Sequence, residues 1–212
     1  MKIGREEGAS TFHAKWIGKL ESEDHWRLYW NQQRLMEGLV KPGQHILEIG
    51  TGSQFAARYM RGKGITVTTV DIDPDKQPDI LADARTFVPP AVYDHVMSFE
   101  TLEHLPFRDV GIIVKRMAAH CRGSFFISVP ATERRLVTMD LRLPKFGSRS
   151  LTLSAPRLSG RIGAHHFWQL GWHGRGREKV ISLFRDSGFE LTEYRYALSR
   201  CYFAFERRDA RA

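Results

Sequence analysis

Two hydrophobic rhythms alternate along most of this chain. "SEDHWRLYWNQQRLMEGL" places Trp26, Tyr29, Trp30, Leu35 and Leu39 at roughly helical spacing, and "KPG" then breaks the helix. "HILEIG" follows as a short buried strand, and "QFAARYMRGKG" as a helix stopped by Gly62 and Gly64. Strands are predicted at "ITVTTVDID", "DILADA", "YDHVMSFE" and "GSFFISVP", with a helix at "DVGIIVKRMAAHC" before the last of them. After a final helix, "REKVISLFRDSGF", the segments "ELTEYRYAL" and "CYFAFERR" leave no room for a crossover, so they predict an antiparallel hairpin. Strands alternating with helices predict an α/β fold, a mostly parallel sheet with helices on both faces.

The rhythm lapses over residues 132–174, a stretch rich in Arg, Ser, Gly and Pro that reads as a lid-like insertion. The chain is otherwise read as one domain over 1–212, with 1–43 as a helical lead-in. At their spacing Trp26, Tyr29 and Trp30 are expected to be packing residues rather than a cover for a ligand.

Composition changes the picture in three ways. Cys121 and Cys201 form neither a disulfide framework nor a zinc spacing, which favours a reducing, cytoplasmic setting. The N-terminus lacks the apolar core of a signal peptide, and no run is long enough for a membrane span. A formal charge of +8 points either to acidic partners or to a solubilising surface. In the insertion, Arg134, Arg135, Arg142, Lys145, Arg149, Arg157 and Arg161 are the residues that would meet an anionic substrate.

In an open parallel sheet the ligand sits at the carboxyl ends of the strands, so the strand exits should form the site. The first exit, "EIGTGS", offers Gly50 and Gly52 for a tight turn and Glu48 as an acceptor. The second ends in Asp71, where a carboxylate can accept from ribose hydroxyls, and the third offers Asp83 to an adenine amino group. A nicotinamide-binding domain competes for this pattern, yet "GTGSQF" does not complete GxGxxG.

With "ILEIGTGS", "VDIDPD", "DILADART", "YDHVMSFETLEHLP" and "SGFELTEYR" in place, the chain from about Gln44 to Arg207 resembles the class I S-adenosylmethionine-dependent methyltransferases. The resemblance implies a Rossmann-like seven-stranded sheet with an antiparallel last strand. It also implies S-adenosylmethionine as cofactor, held by Glu48, Gly50, Thr51, Gly52, Asp71, Ile72, Asp83, Ala84 and Phe99. The chain departs from the family pattern at Gln54, where a third glycine is usual.

"FETLEHLPF" carries the candidate chemistry. On a helical turn Glu100, Glu103 and His104 would share a face. This E-x-x-E-H set resembles that of metal-assisted O-methyltransferases and, with a downstream His165 or His166, that of RNA 2′-O-methyltransferases. The expectation adopted is that Glu100, Glu103, His104, His165 and His166 are the catalytic candidates, with His104 as base at the acceptor. No metal ligand is assigned, although a divalent ion remains an option. His173 is expected to be loop surface.

The sequence therefore predicts a methyltransferase that acts on an oxygen of a small-molecule or glycan intermediate. Two alternatives stand beside it: a metal-assisted 2′-O-ribose methyltransferase acting on RNA, and a non-catalytic scaffold with this fold. A homodimer is left open.

Overall fold

A computed structural model describes residues 22–131, 134–143, 147–155, 165–171 and 176–211. The part of the lead-in before Ser22, together with Lys145, Arg157, Arg161 and His173, lies outside these residues, as do the side chains of Arg134, Arg135, Arg142 and Arg149. In chain order the elements are α1 (Glu23–Met36), β1 (His45–Ile49), α2 (Phe55–Gly62), β2 (Thr66–Asp71), β3 (Ile80–Leu81), β4 (His95–Phe99), α3 (Phe107–Ala118) and β5 (Ser124–Pro130). They continue with β6 (Arg134–Leu143), β7 (Gly147–Ala155), α4 (Arg177–Asp186), β8 (Phe189–Ala197) and β9 (Arg200–Arg207).

Seven strands form one sheet in the order β3-β2-β1-β4-β5-β9-β8. The first five run parallel, and β9 is inserted antiparallel between β5 and β8. All seven residues of β5 are buried, as a strand covered on both faces requires. Alternate residues serve opposite faces. Ile46, Met97, Phe126 and Tyr202 pack with α1 and α2, whereas Leu47, Val96, Phe125 and Phe203 pack with α3 and α4.

Local signals set the helix ends. Ser22 caps α1 by accepting from the His25 amide, with Glu23 and Asp24 in the first turn and Arg34 in the last, as the helix dipole favours. Gln54 stands where the third glycine is usual, and it adopts the left-handed conformation that glycine would favour, at φ 60°. Its side-chain amide donates to the carbonyls of Lys76 and Gln77 at 2.5 and 2.8 Å, tying the turn before α2 to the loop after β2.

The insertion is more regular than its composition suggests. β6 and β7 pair as an antiparallel ribbon, because "RLVTMDLRL" and "SRSLTLSA" alternate apolar and polar residues with period two. Farther on, Trp168 is 2 % exposed, and its indole N–H donates to the carbonyls of Leu102 and Leu105. An isolated bridge between Ala131 and Leu170 ties the two ends of the insertion together. Among the described residues no helix is long and apolar enough to cross a membrane.

Candidate active site

Strand order reverses between β1 and β4, so the loops that leave these strands diverge and open a crevice at their carboxyl ends. A cavity of about 390 Å³ lies there. Gly50 is fixed by two constraints: φ is +80°, and a Cβ would fall 2.2 Å from Thr101 Oγ1. The β1 exit can therefore approach the β4 exit only without a side chain.

Asp71 organises the opposite wall. Its carboxylate accepts from the amides of Thr51 and Asp73 at 3.0 and 2.9 Å, and Lys76 Nζ stands 3.4 Å away. This carboxylate shapes the glycine turn in addition to lining the cavity. Glu48 is 4 % exposed and accepts from the Thr51 hydroxyl at 3.3 Å. Burial pushes its carboxyl up to about 8, against the opposing effect of that bond. Asp83 accepts from the Arg85 guanidinium at 2.5–3.1 Å and from the Arg85 amide at 2.9 Å. The Arg85 hydrogen bonds hold it below the usual carboxylate range, so any adenine contact would be shared with that guanidinium.

The far end of the cavity is polar. Glu100 has φ +51°, a left-handed conformation, and its carboxylate accepts from the Ser128 hydroxyl and from Arg200 Nε, both at 2.9 Å. Arg200 Nη1 also donates to the Leu198 carbonyl. Leu102–His104 form a single 3-10 turn, which turns Glu103 inward to 1 % exposure, with Oε2 lacking a hydrogen-bond partner among the described residues. Burial and the Glu100 charge raise its carboxyl well above the usual range.

His104 Nδ1 lies 2.8 Å from the His165 carbonyl. A carbonyl only accepts, so Nδ1 carries the proton and Nε2 is the basic nitrogen of the neutral ring. Burial lowers its basicity below the ordinary imidazole value. His166 accepts at Nδ1 from the Gln169 amide, and its ring centroid is 4.8 Å from that of His104. Burial, with the charge of a protonated His104 second, pushes His166 down to about 4.

The shared face expected for Glu100, Glu103 and His104 is replaced by a different grouping. Glu103, His104 and His166 each present an atom within 4.8 Å of the others, while Glu100 engages Arg200. The reason is geometric: Glu100 precedes the 3-10 turn, and its backbone is left-handed rather than helical. His165 contributes its carbonyl and has an exposed side chain. Gly52, Ile72, Ala84 and Phe99 line the cavity with the residues above.

Sequence reasoning missed Arg200, which stands 100 positions from Glu100 and reaches it only through the pairing of β9 with β5. It also set aside a wall from α1 by reading the aromatics of that helix as packing residues. His25, Leu28, Tyr29 and Gln32 line the cavity, and Tyr29 stacks on Phe55 at 4.1 Å. A core position fails for Trp26 and Trp30, which are 53 % and 63 % exposed, although Trp26 still packs edge-on against Phe55 at 5.0 Å.

A sequence profile described as a methyltransferase domain matches residues 24–194. No curated protein matches the chain. Among solved structures, a 1,6-didemethyltoxoflavin N1-methyltransferase from Burkholderia thailandensis, with bound 1,6-didemethyltoxoflavin and S-adenosylhomocysteine, is 14 % identical; the match covers 91 % of this chain and 82 % of that one at a TM-score of 0.62. The magnesium protoporphyrin IX methyltransferase of Synechocystis, with bound S-adenosylmethionine, is 13 % identical over 93 % of this chain and 86 % of that one, with a TM-score of 0.59. An amino pentose methyltransferase from Micromonospora echinaspora, also with S-adenosylmethionine, is 13 % identical over 93 % and 98 %, with a TM-score of 0.57. At these identities the likeness is one of fold.

Proposed function

The chain belongs to the methyltransferase-domain family, and from that premise we propose that it transfers a methyl group from S-adenosylmethionine to an oxygen of a small-molecule or glycan intermediate. The crevice fits that cofactor. Gly50 leaves a cradle that any Cβ would fill, Asp71 offers a carboxylate at the second strand exit, and Ile72 and Phe99 offer apolar surface. When bound, the cofactor supplies an electrophilic methyl group on a sulfonium. The protein's part is then to align the acceptor, exclude water and take up a proton.

The observation that carries the reading is the tautomer of His104. The His165 carbonyl fixes its proton on Nδ1, so the basic lone pair of the neutral ring is on Nε2, and His104 lines the polar end of the cavity where an acceptor hydroxyl would give up its proton. Arg200 and Glu100, bonded to each other, supply a fixed cation and anion against which a polar acceptor can be oriented. Glu103, whose carboxyl is pushed up by burial and by the Glu100 charge, stands buried beside them. Small acceptors are supported by the α1 wall, which narrows the crevice, and by the fold neighbours named above for small-molecule substrates.

The test is an acceptor screen with labelled cofactor, followed by kinetics on His104→Ala. Turnover should fall by roughly 10²–10⁴ and the acidic limb of the pH profile should vanish. In the wild type that limb should lie below about pH 6.5, because burial lowers the His104 pKa. Chelator should leave the rate unchanged. Inactivation by chelator with rescue by Mg, Mn or Co would instead assign Glu103, His104 and His166 to an ion and overturn the general-base reading.

A further inference from the structure

The β6–β7 ribbon carries an apolar face with no part in the site just described. Its register sets Val137 opposite Leu153 and Met139 opposite Leu151, with Leu141 one step nearer the tip. Residues two apart on a strand share a face, so these five side chains form one aliphatic surface. All five are exposed, from 45 % for Leu141 to 63 % for Leu153. A two-stranded ribbon is marginal by itself, and a contiguous aliphatic face of this kind marks an interaction surface.

Charge selects the occupant. The two strands contain four arginines and one aspartate, and residues 132–174 hold seven Lys or Arg against two Asp or Glu, which is +5 of the chain's formal +8. Two copies meeting face to face would bring like charges together. A single-stranded nucleic acid would match the charge but would want aromatic platforms, and this face is aliphatic. An anionic bilayer answers both properties, taking aliphatic side chains into its interface and arginines to its headgroups.

We propose that the β6–β7 hairpin docks the enzyme on an anionic lipid surface. The insertion leaves β5 two residues after Ser128, returns at His165 and His166, and is closed by the Ala131–Leu170 bridge. Its two ends are thus anchored at the acceptor end of the crevice.

Flotation of the full chain with phosphatidylcholine vesicles, with and without phosphatidylglycerol, tests this. Binding should require phosphatidylglycerol and weaken as salt is raised. Met139→Ser with Leu151→Ser should weaken it by about tenfold or more, through lost apolar contact. Arg142→Glu with Arg149→Glu should weaken it comparably, and both double variants should keep the wild-type thermal midpoint. Absence of binding to phosphatidylglycerol vesicles would overturn the proposal. So would a wild-type dimer that dissociates on Leu151→Ser, which would make the face a self-interface. RNA binding that is lost in the arginine variant but kept in the serine variant, without vesicle binding, would assign the hairpin to nucleic acid instead.

Discussion

At the scale of single residues, the informative groups are those whose surroundings oppose their ordinary charge. Glu48 was legible in the sequence as an acceptor at a strand exit, but its protonation state was not, because desolvation depends on what packs around it. With its folded pKa near 8 and the ordinary value at 4.5, the folded chain holds a proton there that the unfolded chain releases. Its contribution to stability is therefore present at low pH and is lost as pH rises through the folded value. Glu48→Gln mimics the protonated form and removes this dependence. Thermal melts from about pH 5 to about pH 8 should show a steeper loss of midpoint in the wild type than in the variant. Equal slopes would mean that the Glu48 carboxyl is already ionised at neutral pH.

At the scale of elements, the strands and long helices follow the hydrophobic rhythm, and the discrepancies lie where a few residues do an unusual job. "ETLEH" is a strand exit followed by one 3-10 turn, because Pro106 comes too soon for a full helical turn to complete. The β6–β7 ribbon was hidden by its arginines and serines, although Val137, Met139 and Leu141 keep period two. The β8–β9 hairpin was foreseen, but its turn chemistry was not. Leu198 and Ser199 both adopt positive φ, 54° and 57°, a conformation in which hairpins favour Asn-Gly. Leu198 packs against the core, so Ser199 is the position to change. Ser199→Gly should stabilise the fold by up to about 1 kcal/mol, read as a higher denaturant midpoint with an unchanged m-value. A lower midpoint would show that Ser199 is not strained.

At the scale of the whole molecule, the polar end of the site is assembled from segments far apart in the chain. Glu100 leaves β4 and Arg200 opens β9, and their ion pair at 2.9 Å exists because β9 enters the sheet antiparallel beside β5, setting Arg200 opposite Pro130. The pair is partly shielded, with side chains 25 % and 33 % exposed, so its coupling should fall between that of a surface pair and a buried one. Arg200→Gln and Glu100→Gln should each destabilise by about 1–2 kcal/mol, and the double variant by less than the sum. Simple additivity would show that the two side chains do not support each other. The sequence by itself determined the succession along the chain of the main sheet's strands and their helices, the glycine turn and the acidic strand exits, because these rest on periodicity and on backbone demands that are local. The tertiary structure decided which polar groups meet. His104 with the His165 carbonyl, Glu103 with His166, and Glu100 with Arg200 are brought together by strand order and by the return of the insertion, and no local pattern encodes distances across so many residues.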